Sequence, residues 1–281
     1  MILIADCGST KIDWCVTENK KVVKQVFTHG MNAVMLTLDE MAQRINTELM
    51  PELGDLTGKI TEIYFYGAGC ISPEVCGNVA KALQRNIPAG KIEVYTDLLA
   101  AAHALCGTEA GIACILGTGS NSCYYDGEKI VNNVSPLGYI LGDEGSGAVL
   151  GKILVGDVLK NQLPDDLCEA FLKENNLDRI EIIKRVYKEP GGNRFLASLT
   201  PFLLRNIDRK EVYDLVLNSF KAFFVRNVCQ YPEYRTAKVN FIGSIAYYYR
   251  DVLTHAAELC GCTVGTIIKS PMDGLIAYHK S

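Results

Sequence analysis

A glycine- and hydroxyl-rich turn that directly follows a short apolar segment occurs twice in this chain of 281 residues, and it strongly limits the possible folds. The first turn, Gly8-Ser9-Thr10-Lys11, follows Ile2-Leu3-Ile4-Ala5-Asp6-Cys7. The second turn, Gly117-Thr118-Gly119-Ser120-Asn121, follows residues 111–116. Apolar and polar residues alternate after each turn, which is typical of the second strand of a β-hairpin. The repeat therefore predicts two related α/β lobes that each begin with a hairpin, with a cleft between them.

The composition of these turns is suited to a polyphosphate. Glycine permits backbone conformations that aim successive N–H groups into one concavity, and Ser or Thr hydroxyls add further donors. Asp6 could hold Mg²⁺ through water, and Lys11 could neutralise phosphate charge. The alternative is that Asp6, Gly117 and Gly119 serve only the turns, and that Lys11 is simply solvated. A third glycine segment, Phe241-Ile242-Gly243-Ser244-Ile245, lies near the end of the chain.

The apolar pattern also predicts the order of helices and strands. In the first half we expect strands at 2–7, 12–17, 22–27, 62–66 and 92–95, and helices at 33–49, from Pro73 and from Leu98. In the second half we expect strands at 111–116, 121–125, 128–133, 239–242 and 264–268, with helices in 146–230, at 244–259 and after Pro271. We place the division near Gly107, so that 1–107 form an N-terminal lobe and 108–281 a C-terminal lobe. The last helix, residues 271–281, could instead pack back on the first lobe.

Composition excludes several classes of partner. The net charge of −4, without a basic run, argues against binding to nucleic acid. No apolar segment is long enough to span a bilayer and the N-terminus lacks a secretory pattern, so we expect a cytoplasmic protein with no membrane partner. The eleven cysteines are dispersed and several lie in apolar runs, which favours reduced thiols.

Asp97 is the strongest candidate for a catalytic carboxylate. It follows Thr96 at the junction between a predicted strand and a predicted alanine-rich helix. Phosphoryl transfer mainly needs positioning and charge neutralisation, together with a carboxylate that orients and deprotonates the attacking hydroxyl. The competing interpretation is that Asp97 is only an N-cap, a position that Asp often occupies.

The most specific segment is Leu137-Gly138-Tyr139-Ile140-Leu141-Gly142-Asp143-Glu144-Gly145-Ser146-Gly147. With the three glycine segments in their order, it resembles the BadF/BadG/BcrA/BcrD-type ATPases of the acetate and sugar kinase, Hsp70 and actin superfamily, which include N-acetylglucosamine kinases. The resemblance covers essentially the whole chain. It implies an α/β fold of two RNase H-like (actin-like ATPase) lobes around a nucleotide cleft, with ATP and Mg²⁺ as cofactors.

The resemblance also implies roles for individual residues. It assigns Asp6, Gly8, Ser9, Thr10 and Lys11 to a first phosphate loop, with Mg²⁺ at Asp6, and Gly117, Thr118, Gly119 and Ser120 to a second. Gly243 and Ser244 resemble the adenosine motif, and Asp97 resembles the base that accepts the proton of the sugar hydroxyl. Asn32, Asn121 and Asp143 are the expected sugar contacts. Asn32 could alternatively cap a helix, and Asp143 could lie in the first turn of one.

The function that the resemblance implies is phosphorylation of the 6-hydroxyl of an N-acetylated amino sugar, most simply N-acetylglucosamine. Glucosamine and N-acetylmuramic acid are close competitors, and Leu137 stands where many relatives have tryptophan. Residues 67–72 are the expected lining of the acetamido pocket because glycines let a ligand approach the backbone closely. The alternatives are an ATPase activator of a 2-hydroxyacyl-CoA dehydratase and a non-catalytic sugar sensor. Homodimerisation is plausible for this fold.

Overall fold

The computed structural model describes residues 1–8 and 11–279. The contacts within the chain divide it into two compact units. We call Met1–Glu109 with Ser270–Ser281 unit 1, and Ala110–Lys269 unit 2. In the described residues, none of the helices combines the length and the apolar character that a helix crossing a membrane requires. All eleven cysteines are free thiols.

Unit 1 is built on a five-stranded mixed sheet. Its strands are β1 (Ile2–Cys7), β2 (Lys11–Glu18), β3 (Lys21–His29), β4 (Glu62–Gly67) and β5 (Lys91–Thr96), in the spatial order β3-β2-β1-β4-β5. Strand β2 is antiparallel to β1 and β3, whereas β4 is parallel to β1 and β5. The strand bounds lie within two residues of those predicted.

Helices cover both faces of this sheet. They are α1 (Leu38–Arg44), α2 (Met50–Leu53), α3 (Pro73–Gln84), α4 (Asp97–Cys106) and a last helix, Met272–Tyr278, with a π-helical turn at Ile45–Leu49 and a 3-10 helix at Gly54–Lys59. In β1, Leu3 and Ala5 pack in the core on one face, and Ile2 and Ile4 pack on the other. Burial on both faces explains why β1 is a continuous apolar run. The last helix packs against α4 and β1 within unit 1.

The helix predicted at 33–49 begins five residues later than expected. Thr37 is its N-cap, because the Thr37 hydroxyl accepts from the N–H of Glu40 and the Glu40 carboxylate accepts from the N–H of Thr37. This reciprocal pair is a capping box, and it fixes the start of α1 at Leu38. The prediction gave more weight to the apolar spacing than to the capping signal.

Unit 2 repeats the sheet of unit 1. Its strands are β6 (Gly111–Leu116), β7 (Ser120–Tyr125), β8 (Ile130–Asn132), β9 (Lys238–Ile242) and β10 (Thr263–Ile268), in the order β10-β9-β6-β7-β8. The strand directions match those of β1–β5 one for one. The predicted α/β fold of two related RNase H-like units is thus confirmed.

Helices form most of unit 2. They are α5 (Gly138–Leu141), α6 (Gly147–Leu159), α7 (Asp165–Glu174), α8 (Arg179–Tyr187), α9 (Gly192–Ser198), α10 (Thr200–Arg205), α11 (Lys210–Arg226), α12 (Ser244–Tyr248) and α13 (Arg250–Leu259), with a 3-10 turn at Val228–Gln230. The single helix predicted at 244–259 is interrupted at Tyr249. That side chain is buried and its hydroxyl donates to the carbonyl of Thr200 at 2.6 Å, so the break anchors the segment in the core.

Candidate functional site

The carboxyl ends of the three parallel strands of unit 1 lie side by side. In the register of the sheet, Cys7 of β1 pairs with Gly67 of β4, and Gly67 pairs with Thr96 of β5. Ligands of α/β sheets bind at this edge, where loops and helix starts supply the contacts. The fold therefore brings the first glycine turn, the 67–72 segment and Asp97 to the same edge of one sheet.

Asp6 lies opposite Asp13 on the neighbouring antiparallel strand. The pKa of Asp6 is raised to about 7, chiefly by burial and also by the charges of Asp13 and Asp97, while the charge of Lys11 opposes the rise. Gln25 Nε2 donates to both oxygens of Asp13, at 2.8 and 3.1 Å. The sequence analysis missed Asp13. Asp6 lies two residues before Gly8 and Asp13 lies two residues after Lys11, so a hairpin that turns at Gly8–Lys11 places the two aspartates opposite each other.

The described part of the first turn is a closed hairpin. The N–H of Gly8 donates to the carbonyl of Lys11 at 3.0 Å, and the Lys11 ammonium lies 5.0 Å from the ring centroid of Phe27. Lys11 is exposed, and its positive charge lowers the pKa of Asp6 and so favours the ionised carboxylate. Ser9 and Thr10, the other predicted members of this loop, lie outside the described residues.

Asp97 is not the N-cap of its helix. Thr96 occupies that position, and its hydroxyl accepts from the N–H of Leu99 at 3.1 Å. Asp97 is the first residue of α4, and its Oδ1 accepts from the N–H of Leu98 at 2.9 Å. Burial raises the pKa of Asp97, and this backbone hydrogen bond opposes the rise. The capping interpretation is thus wrong, and the half-buried carboxylate of Asp97 is available for another role.

Asn32 lies beside Gly69 rather than at a helix start. Its Oδ1 accepts from the N–H of Val34 at 3.1 Å, and α1 begins only at Leu38, so Asn32 does not cap that helix. Gly69 has a φ of +85°, and a Cβ there would lie 3.2 Å from the Asn32 Oδ1. The close approach of these two residues connects Asn32 to the glycine-rich end of β4.

In unit 2, the second glycine turn is held by the start of α6. The N–H groups of Gly147 and Ala148 donate to the carbonyls of Gly117 and Thr118, at 2.8 and 3.0 Å. The N–H groups of Thr118 and Gly119 have no partner in the described part of the chain. A turn with its carbonyls engaged and its N–H groups available is suited to bind an anion.

Asp143 lies against this second turn. Its carboxylate accepts from the N–H groups of Ser120 and Gly138, and a Cβ on Gly119 would lie 2.9 Å from its Oδ2. Burial raises the pKa of Asp143. Helix α6 has no acidic residue in its first turn and is capped by Ser146, so the predicted role of Asp143 at the helix dipole is wrong.

The side chain of Asn121 already takes part in hydrogen bonds that hold the local structure. Its Oδ1 accepts from the N–H of Ser122 and from Nδ2 of Asn133, both at 2.9 Å. The side-chain carbonyl of Asn121 on β7 therefore holds Asn133, which follows β8. Only the amide nitrogen of Asn121 is left for a ligand.

Gly243 lies next to the second turn. Its φ is +120°, and a Cβ there would lie 2.3 Å from the carbonyl oxygen of Leu116 and 3.3 Å from the nitrogen of Gly117. No side chain fits this contact, so glycine is required. Ser244 is exposed at the start of α12. Unit 2 thus brings together the second turn, Asp143 and the third glycine segment.

Two units of RNase H-like topology, each with a glycine turn at the carboxyl end of its first strand, define the acetate and sugar kinase, Hsp70 and actin superfamily. No protein-family model and no curated protein matches the chain. Among solved structures, it is 49% identical to a putative N-acetylglucosamine kinase from Porphyromonas gingivalis, with a TM-score of 0.97, over 100% of this chain and 99% of that chain. The chain belongs to the family of that protein.

Two more distant structures share the fold. A putative N-acetylglucosamine kinase from Chromobacterium violaceum is 17% identical, with a TM-score of 0.77, over 99% of this chain and 98% of that chain. A ROK family glucokinase from Streptomyces griseus, in complex with glucose and AMPPNP, is 13% identical, with a TM-score of 0.52, over 99% and 97% of the two chains. At these identities the likeness concerns the fold alone.

Proposed function

We propose that the protein transfers the γ-phosphoryl group of ATP to the 6-hydroxyl of an N-acetylated amino sugar, most simply N-acetylglucosamine. The observation that carries the proposal is the half-buried Asp97 carboxylate, which does not cap its helix because Thr96 does. It shares a sheet edge with Asp6, the first glycine turn and Asn32. The family relationship to a putative N-acetylglucosamine kinase supports this choice of substrate.

Asp97 would act as the general base. The sugar oxygen forms a bond to the γ-phosphorus while the bond from that phosphorus to the β,γ-bridging oxygen breaks, and ADP leaves. The hydroxyl proton passes to the Asp97 carboxylate as the new bond forms. The raised pKa of Asp97 makes it a stronger base than an exposed aspartate, and the N–H of Leu98 fixes the orientation of the carboxylate.

The two turns would bind the nucleotide phosphates in different ways. In unit 1, the turn at Gly8 offers the Lys11 ammonium, and the predicted loop includes Ser9 and Thr10. In unit 2, the turn offers the N–H groups of Thr118 and Gly119 together with the Ser120 hydroxyl. A glycine turn can bind phosphate with few cations where successive backbone N–H groups point into one concavity.

The remaining predicted site residues would contact the adenosine or the sugar. Gly243 and Ser244 would lie along the adenosine. Asn32 and Asp143 would hydrogen-bond the sugar hydroxyls, and Asn121 would donate from its amide nitrogen. A homodimer, a cytoplasmic location and the lack of a nucleic-acid partner stay predictions from the sequence.

The carboxylates of unit 1 fit a divalent cation. Asp6 is half-buried, and its pKa is raised by burial and by the nearby charges of Asp13 and Asp97, a repulsion that a bound cation would offset. Mg²⁺ is commonly held by one or two carboxylates plus substrate phosphates. Asp6 would hold it, in part through water. When bound, Mg²⁺ neutralises charge on the phosphates.

The test is an ADP-release assay with Mg-ATP and each of N-acetylglucosamine, glucosamine, N-acetylmuramic acid, N-acetylmannosamine and glucose. Asp97→Asn should reduce turnover by about a hundredfold to ten-thousandfold without weakening ATP binding, because only proton acceptance is lost. Asp55→Asn, at an exposed acid of the same unit, is the control and should behave as the parent. Unimpaired turnover of Asp97→Asn would show that Asp97 is not the base. Silence on every sugar, with ATP still bound, would refute the kinase assignment.

A further inference from the structure

A groove of about 640 Å³ lies within unit 2, where helices α5, α6, α8 and α9 meet. Its floor is formed by the buried side chains of Val155, Ile182 and Leu196, and the half-buried Leu159 and Val186 extend the apolar wall. None of the residues that line it is a predicted contact of the nucleotide or the sugar. A volume of this size is typical of small-molecule sites, which are mostly apolar with a few placed polar groups.

Large apolar side chains are exposed at the rim of the groove. Ile140 is 74% exposed, Ile183 is 42% exposed and Tyr187 is 77% exposed. Apolar surface that is exposed around a concavity usually marks a contact with a ligand or partner, because covering it removes apolar area from water.

A glycine in the middle of a helix keeps the groove open. Gly156 lies inside α6 and lines the groove, and a Cβ built on it would meet nothing within 4 Å. No close contact requires glycine at this position, although glycine in a helix interior is less favourable than alanine. The open space beside Gly156 is an observation independent of the exposed rim, and it leaves room for a ligand chain against the helix.

The groove is lined by positive charge. Among the described residues that line it, the charged ones are Lys152, Lys160 and Arg179. Lys152 is engaged, because its ammonium donates to the carbonyl of Tyr139 at 2.6 Å. Lys160 follows Lys152 by eight residues on α6, about 12 Å along the helix axis, so it lies away from Tyr139. The charge of Lys160 lowers the pKa of Asp157, but Asp157 does not line the groove and forms no ion pair with Lys160.

Arg179 is the cation with the least compensation. It is the first residue of α8, it is exposed, and it forms no ion pair within the described part of the chain. The neighbouring Asp178 is the N-cap of α8, and its Oδ1 accepts from the N–H of Glu181 at 2.8 Å. A guanidinium presents parallel N–H groups that match both oxygens of a carboxylate, so Arg179 is suited to bind one.

Arg179 and Tyr139 mark opposite ends of the groove. The Tyr139 hydroxyl lies 3.5 Å from the position that a Cβ on Gly192 would take, and that position is 2.7 Å from the carbonyl oxygen of Val186. Val186 follows Arg179 by seven residues on α8, about 10 Å along the helix axis. The walls between the two ends are aliphatic, so a hydrocarbon chain fits there, whereas a peptide backbone would leave its polar groups unsatisfied.

We propose that this groove binds a straight-chain fatty acid. The carboxylate pairs with Arg179, with Lys160 as a second cation, and the hydrocarbon chain passes over Gly156 towards Tyr139. The chain covers apolar surface of Ile183 that is otherwise in contact with water. This site is separate from the proposed reaction, and its existence does not depend on the proposed function.

The test is calorimetric titration of the whole protein with decanoate, below the concentration at which decanoate forms micelles. The uncharged 1-decanol and the cationic decylamine have the same chain length, and both should bind at least about tenfold more weakly than decanoate because they lack the carboxylate. Arg179→Gln should weaken decanoate binding by about tenfold or more for the same reason. Arg250→Gln is the matched control, because Arg250 is an exposed first residue of a helix, α13, and does not line the groove. It should retain the affinity.

Gly156→Leu separates ligand binding from folding. The variant should be at least as stable to urea as the parent, because leucine is the better helix former and its side chain enters open space. It should nevertheless lose decanoate binding, since the side chain occupies the path of the hydrocarbon chain. No decanoate binding, equal binding by either probe, equal weakening by the two arginine variants, or unchanged binding by Gly156→Leu would each overturn the proposal. A dimer in analytical ultracentrifugation that Gly156→Leu dissociates would also overturn it, because a second copy of the chain would then cover the groove.

Discussion

Two buried histidines of unit 1 should make the protein sensitive to mild acid. The hydroxyl of Tyr66 lies 2.8 Å from Nδ1 of His103 and 2.7 Å from Nε2 of His279. His279 stacks on Tyr64, with ring centroids 3.7 Å apart, and both histidines are at least 92% buried. The cluster therefore joins α4 and β4 to the end of the last helix.

The pKa of each imidazole is lowered from 6.5 to about 4, chiefly by burial; the charge of His279 contributes to the lower pKa of His103, and the charge of Glu93 opposes the lowering at His279. At a pH between the folded pKa of about 4 and the unfolded pKa of 6.5, the unfolded chain binds more protons than the folded chain. Stability is therefore complete above the unfolded pKa and falls as the pH is lowered through this window. At about pH 5 each histidine should remove about 2 kcal/mol, or about 4 kcal/mol together, from the free energy of unfolding at about pH 7.5.

Three half-buried carboxylates act in the opposite direction. The pKa of Asp6, Asp97 and Asp143 is raised, so protonation of these groups stabilises the folded state as the pH falls. The histidine effect must therefore be measured as a difference. The double variant His103→Asn with His279→Gln keeps a hydrogen-bonding group near each nitrogen and removes both titrations.

The assay is urea unfolding of parent and double variant between about pH 5 and pH 7.5, with the difference in free energy of unfolding plotted against pH. The carboxylate contributions cancel in this difference, which should change by about 4 kcal/mol in favour of the variant at the acid end. Parallel curves would refute the reasoning, because they would show that the imidazoles titrate alike in the folded and unfolded chain.

Two further predictions concern the candidate site. Gly243→Ala should destabilise unit 2 by about 2 kcal/mol or more and weaken ATP binding, because the added Cβ would clash with the Leu116 carbonyl at a positive φ. Urea unfolding measures the first effect and nucleotide titration the second. A variant with unchanged stability and ATP affinity would contradict the contact. Asp13→Asn should lower the pKa of Asp6 because it removes a neighbouring negative charge. The acid limb of the pH profile of kcat/KM should therefore move to lower pH. An unmoved limb would show that Asp13 does not act on Asp6.

Local patterns predicted most of the sheet but not the contacts that decide the site. Strand β1 was predicted at its observed bounds because a central strand buried on both faces is a continuous apolar run bounded by a glycine turn. The capping role of Thr96 and the pairing of Asp13 with Asp6 could also be found by counting along the chain. The contact of His279 with Tyr66 could not, since it joins residues 213 positions apart through packing of the last helix.

The two units share a sheet topology, but the turns after their first strands differ in chemistry. In unit 1 the turn adjoins Asp6, Asp13 and the Lys11 ammonium, and we propose that this edge holds a cation and, with Asp97, accepts a proton. In unit 2 the equivalent turn is fixed through its carbonyls to the start of α6, so the N–H groups of Thr118 and Gly119 are left for an anion. The same hairpin topology can serve either purpose, because the flanking side chains set the local charge. Exchanging charge at Asp6 should therefore alter metal dependence, whereas blocking Gly119 with a side chain should alter phosphate binding.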